Sequence, residues 1–413
     1  MEMQSRILRL LAKGVSRAEE SFDEETGRFL AANGGWAVTM QDGIFALALL
    51  FLREGTEWCG DERVLHLAAR GGDALRDWQY DDGSFEFIKP DGSRWGPIYM
   101  PWSIYHWLET WALLRDRLDA PRHARWEQGL TLAFDGLAQQ RAEPAAHNIS
   151  TWQGMSLVRA GQLFSRDDWT EVGTRQVLFS TGHQHPDGFW PEGGGPTTGY
   201  NLVYVHALGL YHAFTGHEAV LEPLRRATRF HTVFTYPDGS PIETVDGRQR
   251  YHGGASVTGW PGFSLFPKGR RLVRLLMDDL EQRSAGSLAG HLAAAYLHMA
   301  EGPEAPLPCE KDARVLHGGR ALVRREGPWQ ICVSGYVPPA GERPGNSRNR
   351  WITTRANCLS VWHDRLGLLI GGGNSNRDPD FATFELWRGA QMRIEPDEVA
   401  FSHRGGTETA RFR

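Results

Sequence analysis

No run of about 20 apolar residues occurs in the 413-residue chain, so no membrane-spanning helix is expected. Cysteine is scarce as well. Cys59, Cys309, Cys332 and Cys358 are scattered without CxxC spacing, which argues against a zinc ribbon or a disulfide framework and for buried free thiols. An excess of positive charge is also lacking: 45 Lys and Arg stand against 50 Asp and Glu, a net charge of −5, and neither a nucleic-acid nor a membrane partner is expected. The N-terminus alternates charge with Ile7, Leu8, Leu10 and Leu11 at helical spacing and shows no apolar signal-peptide core. As the sequence stands a cytoplasmic location is expected, and a periplasmic or secreted one if a leader was removed. His183 and His185 have no companion ligands at metal spacing, and the Gly-rich 371–379 stretch precedes no clear helix. No metal, phosphate loop or cofactor is therefore assigned.

What remains is a globular composition, 41% hydrophobic and 23% charged, with helical periodicity recurring to about residue 301. The periodic segments are 2–22, 39–54, 62–78, 100–117, 121–140, 149–163, 167–181, 199–215, 217–234, 256–266, 269–283 and 285–301. Variants of one acidic-Gly turn recur between them: "YDDGSFEF" at 80, "HPDGFWPE" at 185 and "YPDGSPIE" at 236. "YNLVYVHALGLYHAF" is apolar nearly all round, whereas "EPLRRATRF" has a polar face, as an inner and an outer helix would. The pattern predicts a mainly α protein, an α/α toroid of six helical hairpins over 1–301 that forms the catalytic domain. A linker comes next at 302–311, then short alternating runs predict an antiparallel, sandwich-like β domain over 312–413.

Sixteen tryptophans stand out, and Trp78, Trp95, Trp102, Trp107 and Trp190 lie in loop-like contexts. Open indole faces grip sugar rings, although packing into a core is their commoner use. Between 310 and 356, nine Lys or Arg face four acids. That surplus is either a solvated basic face or a seat for an acidic polymer, with Arg348 and Arg350 among its contacts.

One stretch concentrates chemistry. "HQHPDGFWPEGGGPTTGYN" (183–201) joins an acidic-Gly turn, two aromatics, Glu192, three glycines and a Gly-Tyr pair that opens a helix. A second, "AEPAAHNISTWQG" at 142–154, sets His147 and Asn148 before a helix, with Ser150 and Gln153 spaced as a capping box. Orphan N–H groups at that helix start, with the Asn148 amide, would make a small anion site. "DGFWPEGGGPTTGYN" resembles the signature of the heparinase II/III-like polysaccharide lyases and related alginate and chondroitin lyases. The close motif is about fifteen residues long. The resemblance implies Tyr200 as catalytic acid/base, Asn148 with His147 neutralising the uronate carboxylate, and His252 as a late active-site histidine. Glu192 stands where several relatives carry His, so it binds sugar hydroxyls, orients Tyr200 or substitutes as acid/base.

In such β-elimination a base removes the C5 proton of a 4-linked uronic acid and the O4 group leaves. Donors on the carboxylate stabilise the enolate-like state. A tyrosine base needs its pKa, about 10 in the reference state, brought down by neighbouring charge or donors; His147, His185, His252 and Arg250 are the candidate helpers. Substrate contacts are expected from Trp102, Trp190, His185, Tyr204, Arg250, Arg348 and Arg350, in a groove at the toroid mouth partly bordered by the β domain. The expected partner is an acidic, uronate-containing glycan. Two alternatives remain open: a glycoside hydrolase using a carboxylate pair drawn from Asp42, Asp82, Asp187 and Glu192, or a non-catalytic glycan-binding toroid.

Overall fold

Helices begin where the sequence supplies caps. In the computed structural model, which describes residues 2–89, 92–192, 195–246, 254, 256–283, 286–336, 359–371, 398–403 and 406–411, the Asp61 side chain accepts the Arg63 N–H at the start of helix α4 (Glu62–Trp78). Asp119 likewise accepts the Arg122 N–H at the start of α6 (Ala120–Gln140). The chain divides into two compact units. One comprises Met1–Ser180, Leu210–His217 and Glu281–Met299; the other comprises Thr181–Gly209, Glu218–Leu280 and Ala300–Arg413.

The first unit opens with α1 (Glu2–Ala12) and α2 (Val15–Ser21), broken at Gly14, where an added Cβ would lie 3.0 Å from the Leu288 nitrogen and need a small shift. A short hairpin, β1 (Phe22–Asp23) and β2 (Arg28–Phe29), then leads to α3 (Ile44–Leu52), which is buried all round from Ile44 to Phe51. Helix α4 buries only one side, and a second hairpin, β3 (Phe85–Ile88) and β4 (Arg94–Ile98), leads to the largely buried α5 (Pro101–Leu114). The succession repeats with α6, α7 (Asn148–Phe164) and α8 (Asp167–Gly182). Helices buried all round alternate with amphipathic ones, as inner and outer layers must. Helix α3 packs on α4 and α5, α5 on α6 and α7, and α13 (Gly290–His298) returns to pack on α1 and α3.

The second unit holds the first two-thirds of α9 (Thr198–Thr215), then α10 (Leu221–Val233), a single turn α11 (Trp260–Phe263) and most of α12 (Pro267–Arg283). The helix expected over 256–266 shrinks to α11 because Gly259, at φ +96°, turns the chain left-handed immediately before it. Five antiparallel strands come next in sequential order: β5 (Ala313–His317), β6 (Ala321–Glu326), β7 (Trp329–Ser334), β8 (Leu359–His363) and β9 (Gly367–Ile370). A separate hairpin pairs β10 (Glu398–His403) with β11 (Gly406–Arg411). Ala321, Val323, Cys332 and Trp362 of the sheet pack on Phe230, Val233 and Phe234 at the end of α10. The same core takes in Phe189 and Tyr236, one from each of two acidic-Gly turns.

Those turns are one structure used three times. In Tyr80–Ser84, His185–Phe189 and Tyr236–Ser240 the first N–H donates to the fifth carbonyl at 2.9, 2.8 and 2.9 Å. The glycine N–H donates back to the first carbonyl at 2.9 Å in each. Gln79 and Gln184 add a further brace, each donating to its turn's glycine carbonyl, at 3.1 and 3.2 Å, and to a carbonyl of a later helix, Gly129 at 2.8 Å and Pro223 at 2.9 Å. Gly188 sits at φ +96°, and a Cβ there would collide with the Arg226 carbonyl of α10. Gly188→Ala is expected to destabilise the protein by about 1–3 kcal/mol, read as a lower urea midpoint. Gly182→Ala, with nothing within 4 Å of the added atom, is the matched control.

Candidate active site

Helix α9 carries Tyr200 on its first turn, and its stretch from Tyr204 to Tyr211 is buried throughout. Tyr204 and Tyr211 are 1% exposed whereas Tyr200 is 37% exposed, so the Tyr200 side chain reaches solvent at the start of a helix whose middle is buried. The backbone beside it is held from several sides. Asp246 Oδ2 accepts both the N–H and the Oγ1 of Thr198, each at 2.6 Å, and so places a carboxylate at the helix start. Asn201, fully buried, accepts the Trp190 N–H at 2.7 Å and donates to the Thr197 carbonyl at 2.8 Å. One turn and a half further, His206 Nδ1 accepts the Gly259 N–H at 3.0 Å. Asn201, Asp246 and His206 were missed in the sequence: their partners lie 11, 48 and 53 positions away, beyond any local pattern.

The loop before α9 is anchored at its turn. Asp187 accepts the Tyr336 hydroxyl at 2.6 Å, and its carbonyl accepts from His317 Nε2 of β5 at 2.8 Å. Burial, then the bond to Asp187, raises the Tyr336 pKa, and burial lowers that of His317. The loop then closes through Glu192, whose N–H donates to the Gly195 carbonyl at 3.0 Å. Gly193 and Gly194 lie outside the described residues.

Several expected contacts are corrected. Trp190 is 1% exposed and its indole lies flat on Tyr204, with centroids 4.6 Å apart and planes at 3°. Neither ring therefore presents a face to solvent: the pair is packing that supports the loop, not an open sugar platform. Tyr204 has its pKa pushed up by burial and then by the Glu192 charge. His185 keeps its place among the candidate contacts: it stacks on Phe189 at 4.4 Å and its Nδ1 accepts the Asp187 N–H at 3.1 Å, while its side chain stays 42% exposed. Trp107 is fully buried within α5 and belongs to the core. His252, Arg250, Arg348 and Arg350 lie outside the described residues.

In the first unit, α7 begins two residues before the expected Ser150 cap. His147, with extended backbone, is the N-cap, and its Nδ1 accepts the Ile149 N–H at 3.3 Å. Ser150 instead accepts from Arg141 at 2.7 Å, and Gln153 donates to the Tyr99 carbonyl at 2.8 Å, so the two form no capping box. Asn148 is the first helical residue and is 1% exposed. Trp102 is half-buried against Trp152, centroids 6.1 Å apart. Of the acids considered for a hydrolase, Asp82 takes the N–H and Oγ of Ser84, at 2.9 and 2.6 Å, and Asp42 takes the Ser103 hydroxyl at 2.7 Å. No group of three or more His, Cys, Asp or Glu placed to hold a metal occurs among the described residues, and no described helix is long and apolar enough to cross a membrane.

No family model matches the chain, and no curated protein does. Solved structures do. The chain is similar to the Streptomyces coelicolor chondroitin AC lyase in complex with chondroitin sulphate at 16% identity and TM-score 0.52, over 87% of this chain and 54% of that one. A tyrosine-to-alanine variant of the same enzyme matches at 17% and TM-score 0.53, with the same coverage. A Paenibacillus xanthan lyase matches at 11% and TM-score 0.54, over 87% of this chain and 37% of that one. The chain thus spans about half the length of the chondroitin AC lyase and less of the xanthan lyase. The likeness shows the fold: an α/α toroid followed by antiparallel β structure.

Proposed function

We propose that the protein is a glycan-processing enzyme and, more narrowly, a polysaccharide lyase of the heparinase II/III-like kind. Its substrate is a uronic-acid-containing polysaccharide or oligosaccharide, cleaved by β-elimination. The observation that carries the reading is Tyr200: a solvent-reaching side chain on the first turn of a helix whose middle is buried, its backbone held by Asp246 and Asn201, at the end of the loop that resembles the lyase signature. The fold shared with solved polysaccharide lyases supports it.

The chemistry assigned is a proton relay. Tyr200, as phenolate, takes the C5 proton. The electron pair of that C–H bond forms the C4–C5 double bond, the C4–O4 bond breaks, and the phenol returns its proton to O4. Asn148 serves as the donor that stabilises charge on the uronate carboxylate. His147, whose Nδ1 is engaged by the Ile149 N–H, carries its neutral-state proton on Nε2 and donates from there.

Incubation with a panel of polyuronates, monitored by ultraviolet absorbance of the unsaturated uronate, tests the reaction class. New reducing ends without that chromophore would mean hydrolysis. Glu192→Gln separates the same readings at one residue. It is expected to reduce lyase turnover less than Tyr200→Phe does, whereas a hydrolase relying on Glu192 would lose its activity with that change. Two of the other acids, Asp82 and Asp187, are already engaged in holding turns, which favours the lyase.

A further inference from the structure

The turn at Tyr80–Ser84 differs from its two counterparts in the chain it leads into. Among the described residues, only this turn opens into a two-stranded antiparallel sheet, β3 with β4, its register shifted between Glu86 and Ile88. The hairpin carries Trp95 at 66% exposure, and Tyr80 in the turn is 42% exposed. Phe87 meets the Trp95 ring edge-on at 5.3 Å, and the Lys89 ammonium lies over it at 4.4 Å. A tryptophan left this open contributes little to the core, and its indole face is available to a planar or ring-shaped partner.

The platform is braced from beneath. Glu86, 9% exposed, accepts the Tyr80 hydroxyl on one oxygen and the Gly96 N–H on the other, both at 3.1 Å. The Tyr99 hydroxyl donates to the Asp82 carbonyl at 3.2 Å, and the Asp82 carboxylate holds Ser84. With Glu86 and Asp82 engaged at the base, Lys89 is the charge that lies against the ring.

We propose that the β3–β4 hairpin is a binding site for an acidic glycan strand, in which a sugar ring stacks on Trp95 and its carboxylate is met by Lys89. The proposal rests on the reading that the protein acts on uronate glycans, and it adds a second contact beyond the catalytic loop. An exposed cation–π pair is weak enough to exchange. The arriving ring replaces the ammonium over the indole, and the ammonium swings to the carboxylate at the ring's edge. Such a site holds a polymer and does nothing for a fragment too short to reach it.

Affinity electrophoresis in gels containing alginate, hyaluronan or polygalacturonate, with dextran as neutral control, reads binding without catalysis; Tyr200→Phe protein keeps the polymers intact. Retardation by at least one polyuronate and not by dextran is expected. Trp95→Ala should weaken it about tenfold, Trp95→Phe should recover part of the loss, and Lys89→Ala should weaken it and flatten its salt dependence. In the Tyr200 enzyme, Trp95→Ala should lower kcat/KM on polymer and leave that on tetrasaccharides unchanged. Equal retardation of Trp95→Ala and its parent, equal retardation in dextran, or no retardation of the parent in any gel would overturn the site. Trp95-dependent retardation without unsaturated product from any uronate would keep the site and remove the lyase reading. Unsaturated product from polymer at undiminished rate in Trp95→Ala would do the reverse.

Discussion

Tyr200→Phe is expected to lower turnover by about 10²–10⁴-fold, the range spanned by a lost general acid or base, with the melting temperature unchanged. The substitution removes one oxygen from a side chain that is already 37% exposed, so desolvation adds little to its cost. The ring stays, and the bonds that hold the helix start belong to Asp246, Asn201 and Thr198. Structure and chemistry are thus separable at this position, which is unusual for a residue on a helix whose middle is buried. Because the hydroxyl acts on the reacting proton, kcat and kcat/KM should fall together. A variant that melts like wild type and still forms unsaturated product at a near-normal rate would remove Tyr200 from the mechanism. The 183–201 loop would then be a structural element joining α9 to the sheet.

The helical part of the fold was legible because its signals are local. Asp61 and an amphipathic stripe set α4 at the expected 62–78, and the recurring acidic-Gly turn announced a repeat that the backbone reproduces bond for bond. Strand β5 was not legible: "ARVLH" comes after a run of charges and alternates in exposure, half-buried Ala313 and Val315 with exposed Arg314 and Leu316, so it has no strongly apolar side. The site divides the same way. Tyr200 could be proposed from the sequence because its motif is contiguous. Trp190 was misread because a neighbouring Gly or Asp reports a turn and says nothing of what covers the turn. Its cover is Tyr204, fourteen positions on, brought flat against it only when Asn201 ties the loop to the helix. The clamp residues Asn201 and Asp246 carry no local signature, since an amide or carboxylate shows its role only once the distant N–H it accepts is in place.

Asn148→Ala is expected to lower turnover by about 10²–10³-fold, by analogy with the loss of one oxyanion-hole donor. Here, in contrast to Tyr200, structure and chemistry are entangled. Asn148 is 1% exposed, so truncating its amide leaves buried groups short of a partner, and a stability loss of about 1–3 kcal/mol accompanies the change. The two effects part in their readouts. A structural loss shows in the urea midpoint and vanishes from the kinetics once the assay runs well below the melting temperature. A donor lost from the transition state persists there as a fall in kcat with little change in KM. Asp119→Ala supplies the comparison: it removes the cap of α6, costing about 1 kcal/mol, and leaves both His147 and the Asn148 amide in place. If the two variants are equally destabilised and equally active on a uronate that wild type cleaves, Asn148 merely starts a helix. If only Asn148→Ala loses kcat, the amide acts on the charge that builds at the carboxylate as the C5 proton leaves, and the phenol of Tyr200 then needs far less basicity to remove it.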